Sequence, residues 1–272
     1  MSTNTFLDGL HRSLGRSQLA SRLAVLVRNQ CRRIIACHLS EGPNFSNNGE
    51  AWLNKFFAIR SSVFVDVGAN VGRWTELFLS EGGGKKGLLF EPSEYAFEVL
   101  NKRFQNMQNI TVIKACVSDS VGEISFFEEP EGGETSSFDP KFSSSKAIKR
   151  VVATTTLDVE AKQHQLTHID FLKIDTEGYD LHVLHGSAGL LSGQKIGVIQ
   201  FEYNAPWAAA GSTLRSAFDL LKSFGYQVFL LKSSGLYKLN YDVYGEYFEY
   251  SNFVAVSPNS LADLQPYLKG EI

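Results

Sequence analysis

The chain has 272 residues, of which 43% are hydrophobic and 20% are charged, and its net charge is −3. This length suits one large domain, or one domain with an appendage, and is enough to bury a substantial core. The acidic balance gives no reason to expect nucleic acid as a partner, because nucleic-acid-binding proteins usually show a basic surplus. A small molecule or a glycan is therefore the expected partner.

The cysteine count and the hydropathy pattern indicate the cellular compartment in which the protein is expected. The three cysteines, Cys31, Cys37 and Cys116, are an odd number without metal-ligand spacing, so they indicate neither a disulfide framework nor a zinc site. No apolar run approaches the length needed to span a bilayer, and the N-terminus lacks the pattern of a secretion signal. We predict a cytoplasmic protein without a transmembrane segment.

The first fifty residues differ from the rest of the chain. They contain six arginines, no lysine and three acids, Asp8, Glu41 and Glu50. Apolar residues recur near helical spacing within Gln18–Leu39, which predicts one amphipathic helix with a basic face. Such a helix packs on the main domain or on a second subunit of a homo-oligomer, or it contacts a membrane surface or covers the substrate. The expected organisation is an arginine-rich helical extension, 1–50, and a main domain, 51–272.

From Val63 onward, strand and helix signals alternate, which predicts βαβ units. The predicted core strands are 63–67, 87–90, 110–116, 169–175, 197–202, 226–231 and 251–256. Further strands are expected at 123–127 and 150–156, with a long surface loop, 128–149, between them. The expected fold class is α/β, a doubly wound, mostly parallel seven-stranded sheet of Rossmann-like type with an N-terminal helical extension.

The stretch Val63–Gly72 is central to this plan, because it reads as a buried strand followed by a glycine turn and a helix. Gly68 and Gly72 are expected to let the backbone pass close to a ligand, since a Cβ there would occupy the ligand's space. The helix is predicted over Asn70–Ser80. A strand, a glycine turn and a helix N-terminus form the nucleotide pocket of doubly wound proteins, although a bare structural corner has the same elements.

The same turn argues against a dinucleotide. A Gly-x-Gly-x-x-Gly fingerprint requires glycine where Asn70 and Arg73 stand, so the pyrophosphate cradle is incomplete. Asp66 precedes the turn, and an acid there repels a phosphate but attracts a cation. S-adenosyl-L-methionine (SAM), with its ammonium and sulfonium groups, suits this charge better than NAD does.

Five predicted strands end at an acid or a polar cluster. These acids are Asp66, Glu91, Asp119, Asp175 and Glu202. Ligands of open parallel sheets bind at the carboxyl ends of the strands, so the five acids are expected near one site. Glu91 is placed to accept two hydrogen bonds from a ribose diol, and Asp119 with Ser118 to take an adenine amino group. Each acid alone is equally suited to capping a helix or turn.

Several motifs together resemble one known family. They are Asp66-Val-Gly-Ala-Asn-Val-Gly72, Phe90-Glu-Pro92, Thr156-Leu-Asp158 and Lys173-Ile-Asp-Thr-Glu-Gly178, followed by Val183-Leu184-x-Gly186. In this order they resemble the FkbM family of SAM-dependent methyltransferases, from about Val63 to Pro258. The resemblance implies a class I methyltransferase fold and O-methylation, commonly of sugar or polyketide hydroxyls. It implies the following cofactor contacts: Asp66, Gly68, Asn70 and Gly72 at the methionine end, Glu91 at the ribose, and Ser118 with Asp119 at the adenine.

The chemistry of methyl transfer requires a further group. A sugar hydroxyl is too weakly acidic to ionise freely near neutral pH, so it needs a base or a metal. Asp175 ends a core strand where the transferred methyl group should lie, and it is the first candidate base as well as a cofactor contact. Glu177 and Glu202 are the next candidates. If two of these carboxylates converge on an oxygen-rich gap, Mg²⁺ is the alternative, although no metal ligands are assigned.

Other residues have two interpretations each. Lys173 lies inside a buried strand, where it either forms a salt bridge or steers the substrate oxygen. His182 and His185 are expected to be ordinary helix-surface residues rather than bases. Two further segments are candidates for acceptor contacts: Thr135-Ser-Ser-Phe138, which resembles a family segment, and an aromatic wall of Tyr203, Asn204 and Trp207, of which Trp207 could instead belong to the core.

The leading hypothesis is thus a SAM-dependent O-methyltransferase acting on a hydroxyl of a sugar, a glycan, or a glycosylated or polyketide natural product. An NAD-dependent oxidoreductase is the alternative from another enzyme class, and the missing glycines argue against it. A non-catalytic module that kept the fold and lost turnover is the third hypothesis. The acceptor itself is not readable from the sequence, because acceptor pockets are built from variable loops.

Overall fold

The computed structural model describes residues 3–82, 84–130, 138 and 140–272. The helices are α1 (Thr3–Gly15), α2 (Gln18–Leu39), α3 (Glu50–Arg60), α4 (Arg73–Ser80), α5 (Glu94–Phe104), α6 (Leu157–Gln163), α7 (Asp180–His185), α8 (Ala188–Ser192), α9 (Pro206–Ala209), α10 (Leu214–Ser223), α11 (Tyr241–Tyr244) and α12 (Leu261–Leu264). The strands are β1 (Val63–Val67), β2 (Lys86–Phe90), β3 (Ile110–Ile113), β4 (Cys116–Val117), β5 (Gly122–Glu128), β6 (Ile148–Thr155), β7 (Ile169–Ile174), β8 (Ile196–Tyr203), β9 (Gln227–Lys232), β10 (Gly235–Lys238), β11 (Ser251–Val256) and β12 (Leu268–Glu271).

Within the described residues, nine strands form one sheet in the order β12-β10-β9-β11-β8-β7-β1-β2-β3. The pairs from β3 to β8 are parallel, as is β10 with β12, whereas β11 pairs antiparallel with both β8 and β9, and β9 pairs antiparallel with β10. The α/β class and the mostly parallel sheet are confirmed. The predicted number of seven strands is wrong, because β10 and β12 extend one edge. Both are four-residue strands without a continuous apolar run, which leaves little periodicity to detect.

The strands predicted at 123–127 and 150–156 belong to a separate three-stranded sheet of order β4-β6-β5. β5 and β6 pair antiparallel from Gly122 opposite Thr154 to Glu128 opposite Ile148. β4 is the end of the predicted strand 110–116, which breaks after Ile113 so that Cys116 and Val117 pair with β6 instead of continuing along β2. This second sheet therefore places Cys116 and Val117 close to the carboxyl end of β2.

The glycine turn after β1 adopts the expected strand-turn-helix form, but the helix starts later than predicted. Asn70 has φ 48° and Gly72 has φ 83°, so α4 begins only at Arg73. The two glycines are needed for packing against protein atoms rather than for space around a ligand. A Cβ on Gly68 would overlap the carbonyl oxygen of Asp175, and one on Gly72 would lie 2.6 Å from the Phe104 ring.

Two short helices, α7 and α8, follow β7 in place of one continuous helix. The interruption lies at Gly186, where a Cβ would overlap the carbonyl oxygen of Ser118. The Gly186 carbonyl in turn accepts a hydrogen bond of 3.0 Å from the Asp158 backbone, and the Asp158 carboxylate caps the first turn of α8. The helix thus bends where it passes the second sheet.

The chain divides into two compact units, an N-terminal unit, Met1–Leu39, and a main unit, Ser40–Ile272. The N-terminal unit consists of α1 and α2; α2 has the predicted bounds, and α1 was not predicted. The main unit contains both sheets and an aromatic core in which Phe78 and Phe171 stack with Trp74, while the Phe64 ring packs at a tilt against Phe78. None of the described helices combines the length and the hydrophobicity needed to cross a bilayer.

Candidate active site

A cavity of about 950 Å³ opens at the carboxyl ends of β1, β2, β7 and β8. Val67 and Gly68 line it at the end of β1, and Glu91 lines it directly after β2. Its volume lies within the range of small-molecule sites, roughly 300 to 1,000 Å³. The cavity has two chemically different ends. We call the part around Glu91 the Glu91 end, and we call Asp175, Glu177 and Glu202 the carboxylate cluster.

Glu91 is fixed by the backbone of two neighbouring segments. Its Oε2 accepts a hydrogen bond of 2.8 Å from the Asn70 N–H, and its Oε1 accepts one of 2.8 Å from the Ser93 N–H. Burial raises the pKa of Glu91 to about 7 despite these two bonds, since a carboxylate charge is costly away from water. Each oxygen keeps a lone pair for a second donor, as recognition of a diol requires.

Asp66 lies in the wall of the site rather than on its surface. The side chain is fully buried, it accepts a hydrogen bond of 2.5 Å from Thr75 Oγ1, and it lies 3.7 Å from Lys173 Nζ. Burial raises the pKa of this carboxyl, while Lys173 opposes the shift. Asp66 can therefore influence a ligand in the cavity only through Lys173, because it does not line the cavity itself.

Lys173 links Asp66 to the carboxylate cluster, which confirms the salt-bridge interpretation of this residue. Its Nζ lies 2.9 Å from Asp175 Oδ2, and it is 5.6 Å from the centre of the Trp74 ring. Burial alone would lower the pKa of Lys173, but Asp175 and Asp66 raise it above its ordinary value. The side chain therefore keeps its positive charge at neutral pH and fixes the Asp175 carboxylate at the cavity surface.

The carboxylate cluster brings together the three candidate bases. All three residues line the cavity, and the Asn204 amide donates to Glu202 Oε1 at 2.5 Å and to Glu177 Oε2 at 3.4 Å. Burial and then the charge of Asp175 raise the pKa of Glu177 to about 8, and they raise that of Glu202 well above its usual range. Glu177 and Glu202 therefore bind a proton more tightly than ordinary carboxyl groups do.

Asp180, which was not singled out from the sequence, supports the cluster from behind. It is fully buried and accepts hydrogen bonds from Thr176 Oγ1 at 2.8 Å and from the Glu202 N–H at 3.0 Å. These bonds tie the turn after β7 to β8. Burial raises the pKa of Asp180 to about 7. The signal that could have revealed it is its place at the start of a helix, where acids cap free N–H groups.

Glu50 and Tyr250 also line the cavity, and sequence patterns did not reveal either. Glu50, at the start of α3, accepts hydrogen bonds from Asn48, Gln200, Asn252 and the Tyr250 hydroxyl, at 2.7 to 3.3 Å. Three of these four donors come from distant parts of the chain, so local spacing does not predict the network. Burial, followed by Glu202 and Glu50, raises the pKa of Tyr250, which stays protonated.

The residues predicted at the adenine lie outside the cavity lining. Ser118 is buried, and its N–H pairs with the Thr155 carbonyl at 2.8 Å. Asp119 Oδ2 lies 3.0 Å from His182 Nδ1, and this contact lowers the pKa of Asp119. Cys116, Val117 and Phe126 line the cavity instead, next to the Glu91 end. His182 is thus engaged in holding Asp119, and His185 is exposed on the helix surface.

The aromatic wall predicted from Tyr203 and Trp207 is wrong. Both side chains are fully buried, and their rings pack edge to face with a centroid distance of 5.3 Å. The Tyr203 ring also packs on Tyr247, and the Trp207 ring packs on Phe201, which agrees with the alternative that Trp207 belongs to the core. Asn204 does line the cavity. The aromatic residues of the described cavity lining are Phe45, Trp74, Phe90, Tyr95, Phe126, Phe138 and Tyr250.

The predicted acceptor segment falls mainly on Thr135, Ser136 and Ser137, which lie outside the described residues. Phe138, the last residue of that segment, lines the cavity. Its ring lies 3.9 Å from the Tyr179 ring and 5.2 Å from the Phe126 ring, measured between centroids. Phe138 therefore packs over the turn after β7 and against the second sheet.

The arrangement of the side chains bears on the two expected ligands, Mg²⁺ and SAM. Among the described residues, no group of three or more His, Cys, Asp or Glu side chains is arranged to hold a metal ion, which gives the Mg²⁺ alternative no support. SAM agrees better with the side chains present. Glu91 offers two acceptor oxygens for a diol, the carboxylate cluster offers negative charge for a cation, and the indole nitrogen of Trp74 is buried without a hydrogen-bond partner.

Comparison with solved structures gives similarity at low sequence identity. A methyltransferase FkbM from Methylobacillus flagellatus KT is 16% identical, with a TM-score of 0.46, over 71% of this chain and 43% of that chain. An O-methyltransferase from Bacillus cereus in complex with SAH is 10% identical, with a TM-score of 0.40, over 84% and 88% of the two chains. Aeropyrum pernix fibrillarin with bound S-adenosyl-L-methionine is 11% identical, with a TM-score of 0.40, over 73% and 68%. This chain thus spans less than half the length of the Methylobacillus protein.

No curated protein matches the chain. The family model of the methyltransferase FkbM domain matches residues 66–228. These residues include the turn after β1, Glu91, the carboxylate cluster and Asn204, so the match covers most of the cavity lining. The chain belongs to the FkbM family of methyltransferases.

Proposed function

We propose that this protein is a SAM-dependent O-methyltransferase whose acceptor is a hydroxyl of a sugar, a glycan, or a glycosylated or polyketide natural product. The single observation that supports it best is the pairing, in one cavity, of a backbone-held carboxylate at the Glu91 end with proton-binding carboxyls in the carboxylate cluster. A methyl transfer to a hydroxyl needs both a place for the cofactor and a group that takes the hydroxyl proton.

The Glu91 end is proposed to hold the nucleoside part of SAM. Gly68, Asn70 and Glu91 line the cavity there, with Glu91 accepting from the ribose hydroxyls. Cys116, Val117 and Phe126 provide the apolar surface that an adenine ring requires. Supporting roles are proposed for four residues that do not line the cavity, Asp66, Gly72, Ser118 and Asp119.

The carboxylate cluster is proposed to take the proton from the acceptor. When bound, SAM supplies an electrophilic methyl group, and a neutral hydroxyl attacks it poorly. Asp175 is the proposed general base, because it lines the cavity and Lys173 holds its carboxylate in place. Glu177 and Glu202 are proposed to pass or store protons, since both bind a proton more tightly than an ordinary carboxyl group does.

The acceptor class rests on the wall beside the cluster. Tyr250 and Phe138 offer aromatic faces of the kind that pack on sugar rings, while Asn204 offers a buried carbonyl oxygen without a hydrogen-bond partner. A hydroxylated ring could use both features at once. This combination favours a carbohydrate-like acceptor over a purely apolar one.

The test is transfer of a labelled methyl group from SAM to a panel of acceptors. The panel contains hydroxylated sugars, oligosaccharides and glycosylated macrolides, together with matched amino sugars and phenols, and mass spectrometry identifies the bond formed. We expect methyl ethers, formed together with S-adenosylhomocysteine. Exclusive methylation of nitrogen or carbon would contradict the proposal. Tight cofactor binding without transfer to any acceptor would favour the non-catalytic module.

A further inference from the structure

The N-terminal unit exposes the apolar faces of two amphipathic helices. On α1, Phe6, Leu10 and Leu14 recur at four-residue spacing, and they are 74%, 44% and 50% exposed. On α2 the residues with more than half of their surface exposed are Leu19, Leu23, Leu26, Val27 and Ile34. Contiguous apolar surface of this kind is costly in water and usually marks a binding surface.

The apolar residues of α2 lie on one face. Leu23 follows Leu19 by one turn, Leu26 and Val27 follow by two, and Ile34 continues the same row. Val25, by contrast, points to the opposite side of the helix. The spacing therefore separates an apolar face from a polar face along more than four turns of helix.

Two arginines border the apolar face of α2 along one edge. Arg22 lies one turn before Leu26 and Arg33 lies two turns after it, which places both arginines beside Leu26 at the same edge of the apolar face. Both side chains are exposed. Arginines in this position can keep their charge in water while their aliphatic parts lie along an apolar phase.

The charge of this unit identifies the partner. Residues 1–39 contain six arginines and a single acid, Asp8, although the whole chain has a net charge of −3. Pairing α2 with α2 of a second copy would bring arginines together without any acid on the helix to neutralise them. An anionic lipid surface offers negative charge to the arginines and an apolar phase to the leucines at the same time.

We propose that the N-terminal unit is a membrane-surface anchor, in which α1 and α2 lie in the interface of a bilayer containing anionic phospholipid. The apolar faces enter the acyl boundary, and the arginines contact the phosphate headgroups. Neither helix is long and apolar enough to span the bilayer, so the contact is peripheral. The proposal is independent of the reaction, since it uses only residues of the N-terminal unit.

The first test is flotation of the full-length protein with vesicles of phosphatidylcholine alone and of phosphatidylcholine with phosphatidylserine. We expect binding to the vesicles that contain phosphatidylserine, decreasing as salt is added. The double variant Arg22→Gln, Arg33→Gln should bind these vesicles about 25-fold more weakly, because each arginine near an anionic surface contributes about fivefold. Binding that is equal for both vesicle types would overturn the proposal.

A second pair of variants separates a lipid surface from purely electrostatic partners. Leu26→Gln should weaken vesicle binding by about tenfold, since burial of a leucine side chain is lost while helix propensity is kept. Val25→Gln makes a similar change at the neighbouring position on the polar face, and we expect less than a twofold effect. If the two variants behave alike, the apolar face is not inserted and the proposal fails.

Two other partners of the N-terminal unit would give different experimental results. If light scattering shows a stable dimer of the lipid-free protein that Leu26→Gln converts to monomer, the apolar face belongs to a second copy, and the proposal is wrong. Binding of single-stranded RNA that requires Arg22 and Arg33, combined with no binding to either vesicle type, would assign the basic surface to nucleic acid instead.

Discussion

The carboxyl groups at the two ends of the cavity are held by different kinds of donor. At the Glu91 end, one carboxylate receives two backbone N–H donors, so its position is fixed by the turn after β1 and by the start of α5. In the carboxylate cluster, three carboxyls share the amide of Asn204 and the ammonium of Lys173. A carboxylate held by the backbone suits recognition, whereas carboxyls that compete for few donors suit proton transfer. The following predictions test that division.

The largest effect is expected for Asp175→Asn. Loss of a general base should reduce kcat by about 100-fold to 10,000-fold, while the Kd for S-adenosylhomocysteine changes little. Steady-state kinetics and isothermal titration calorimetry measure the two quantities. Asp170→Asn is the matched control, because Asp170 lies on the same strand at the opposite end and caps the Ser62 and Val63 N–H groups. Equal loss of binding and turnover in Asp175→Asn would refute its role as base.

Gly68→Ala tests whether the two ends depend on one another. A Cβ at Gly68 would overlap the backbone of Asp175, so the substitution should displace the turn and the cluster together. We expect a loss of about 3 kcal/mol or more in the free energy of unfolding, from strain at positive φ and from overpacking. Gly211→Ala is the control, since Gly211 has φ 70° and open space around it, and its cost should be about 1 kcal/mol. If denaturant titrations show similar losses for both variants, the Asp175 backbone does not limit the size of the residue at position 68.

Glu91→Ala should separate binding from chemistry in the opposite sense to Asp175→Asn. Removal of two hydrogen bonds to a charged acceptor should weaken S-adenosylhomocysteine binding by about 10-fold to 100-fold, with kcat at saturating SAM nearly unchanged. Glu98→Ala, at an exposed position within α5, serves as the control. An unchanged Kd in Glu91→Ala, measured by calorimetry, would remove the ribose role from Glu91.

The smallest predicted effect is a dependence of stability on pH. The pKa of Glu177 is raised to about 8 and those of Glu91 and Asp180 to about 7, from ordinary values near 4. Between about pH 4 and about pH 8 the folded protein therefore binds more protons than the unfolded chain does. The free energy of unfolding falls as pH rises through this range. We expect the melting temperature without cofactor to fall by about 3 °C or more from about pH 5.5 to about pH 8.

Glu177→Gln provides the control for this pH dependence. The variant cannot ionise at that position, so its melting temperature should fall less over the same range, whereas Glu98→Gln should follow the unaltered protein. A melting temperature that rises with pH in the unaltered protein would mean that these carboxyls are already ionised in the folded state, and the proton-storing role of the cluster would then be lost.

Local patterns predicted those parts of the site that depend on strand ends. The apolar β-branched run before Asp66 predicted β1, and the acids after β2 and β7 do line the cavity as Glu91 and Asp175. Prediction failed where a residue's neighbours come from distant segments. Asp119 follows its strand as expected, but the strand breaks at Ile113, and His182 then holds the carboxylate outside the cavity lining.

Tyr203 and Trp207 show that prediction from local patterns also failed for aromatic residues whose neighbours come from distant segments. Their position at and after the end of β8 predicted a cavity wall, yet both side chains are fully buried. The Tyr203 ring packs on Tyr247 and the Trp207 ring packs on Phe201, and burial of two large rings is strongly stabilising. Tyr250 and Phe138, which do line the cavity, stand in segments without periodicity. Nothing in the spacing of those segments distinguishes a wall residue from a surface residue.

The sequence by itself determined the α/β plan, the turn after β1, the amphipathic pattern of α2 and the family motifs, because each depends on residues that are near one another in the chain. The tertiary structure alone decided which acids share the cavity, that Asp66 lies beside Lys173 behind the cavity lining, and that Glu50 and Tyr250 line the cavity. These features depend on strand order and on burial, through which residues far apart in sequence share donors and raise one another's pKa values.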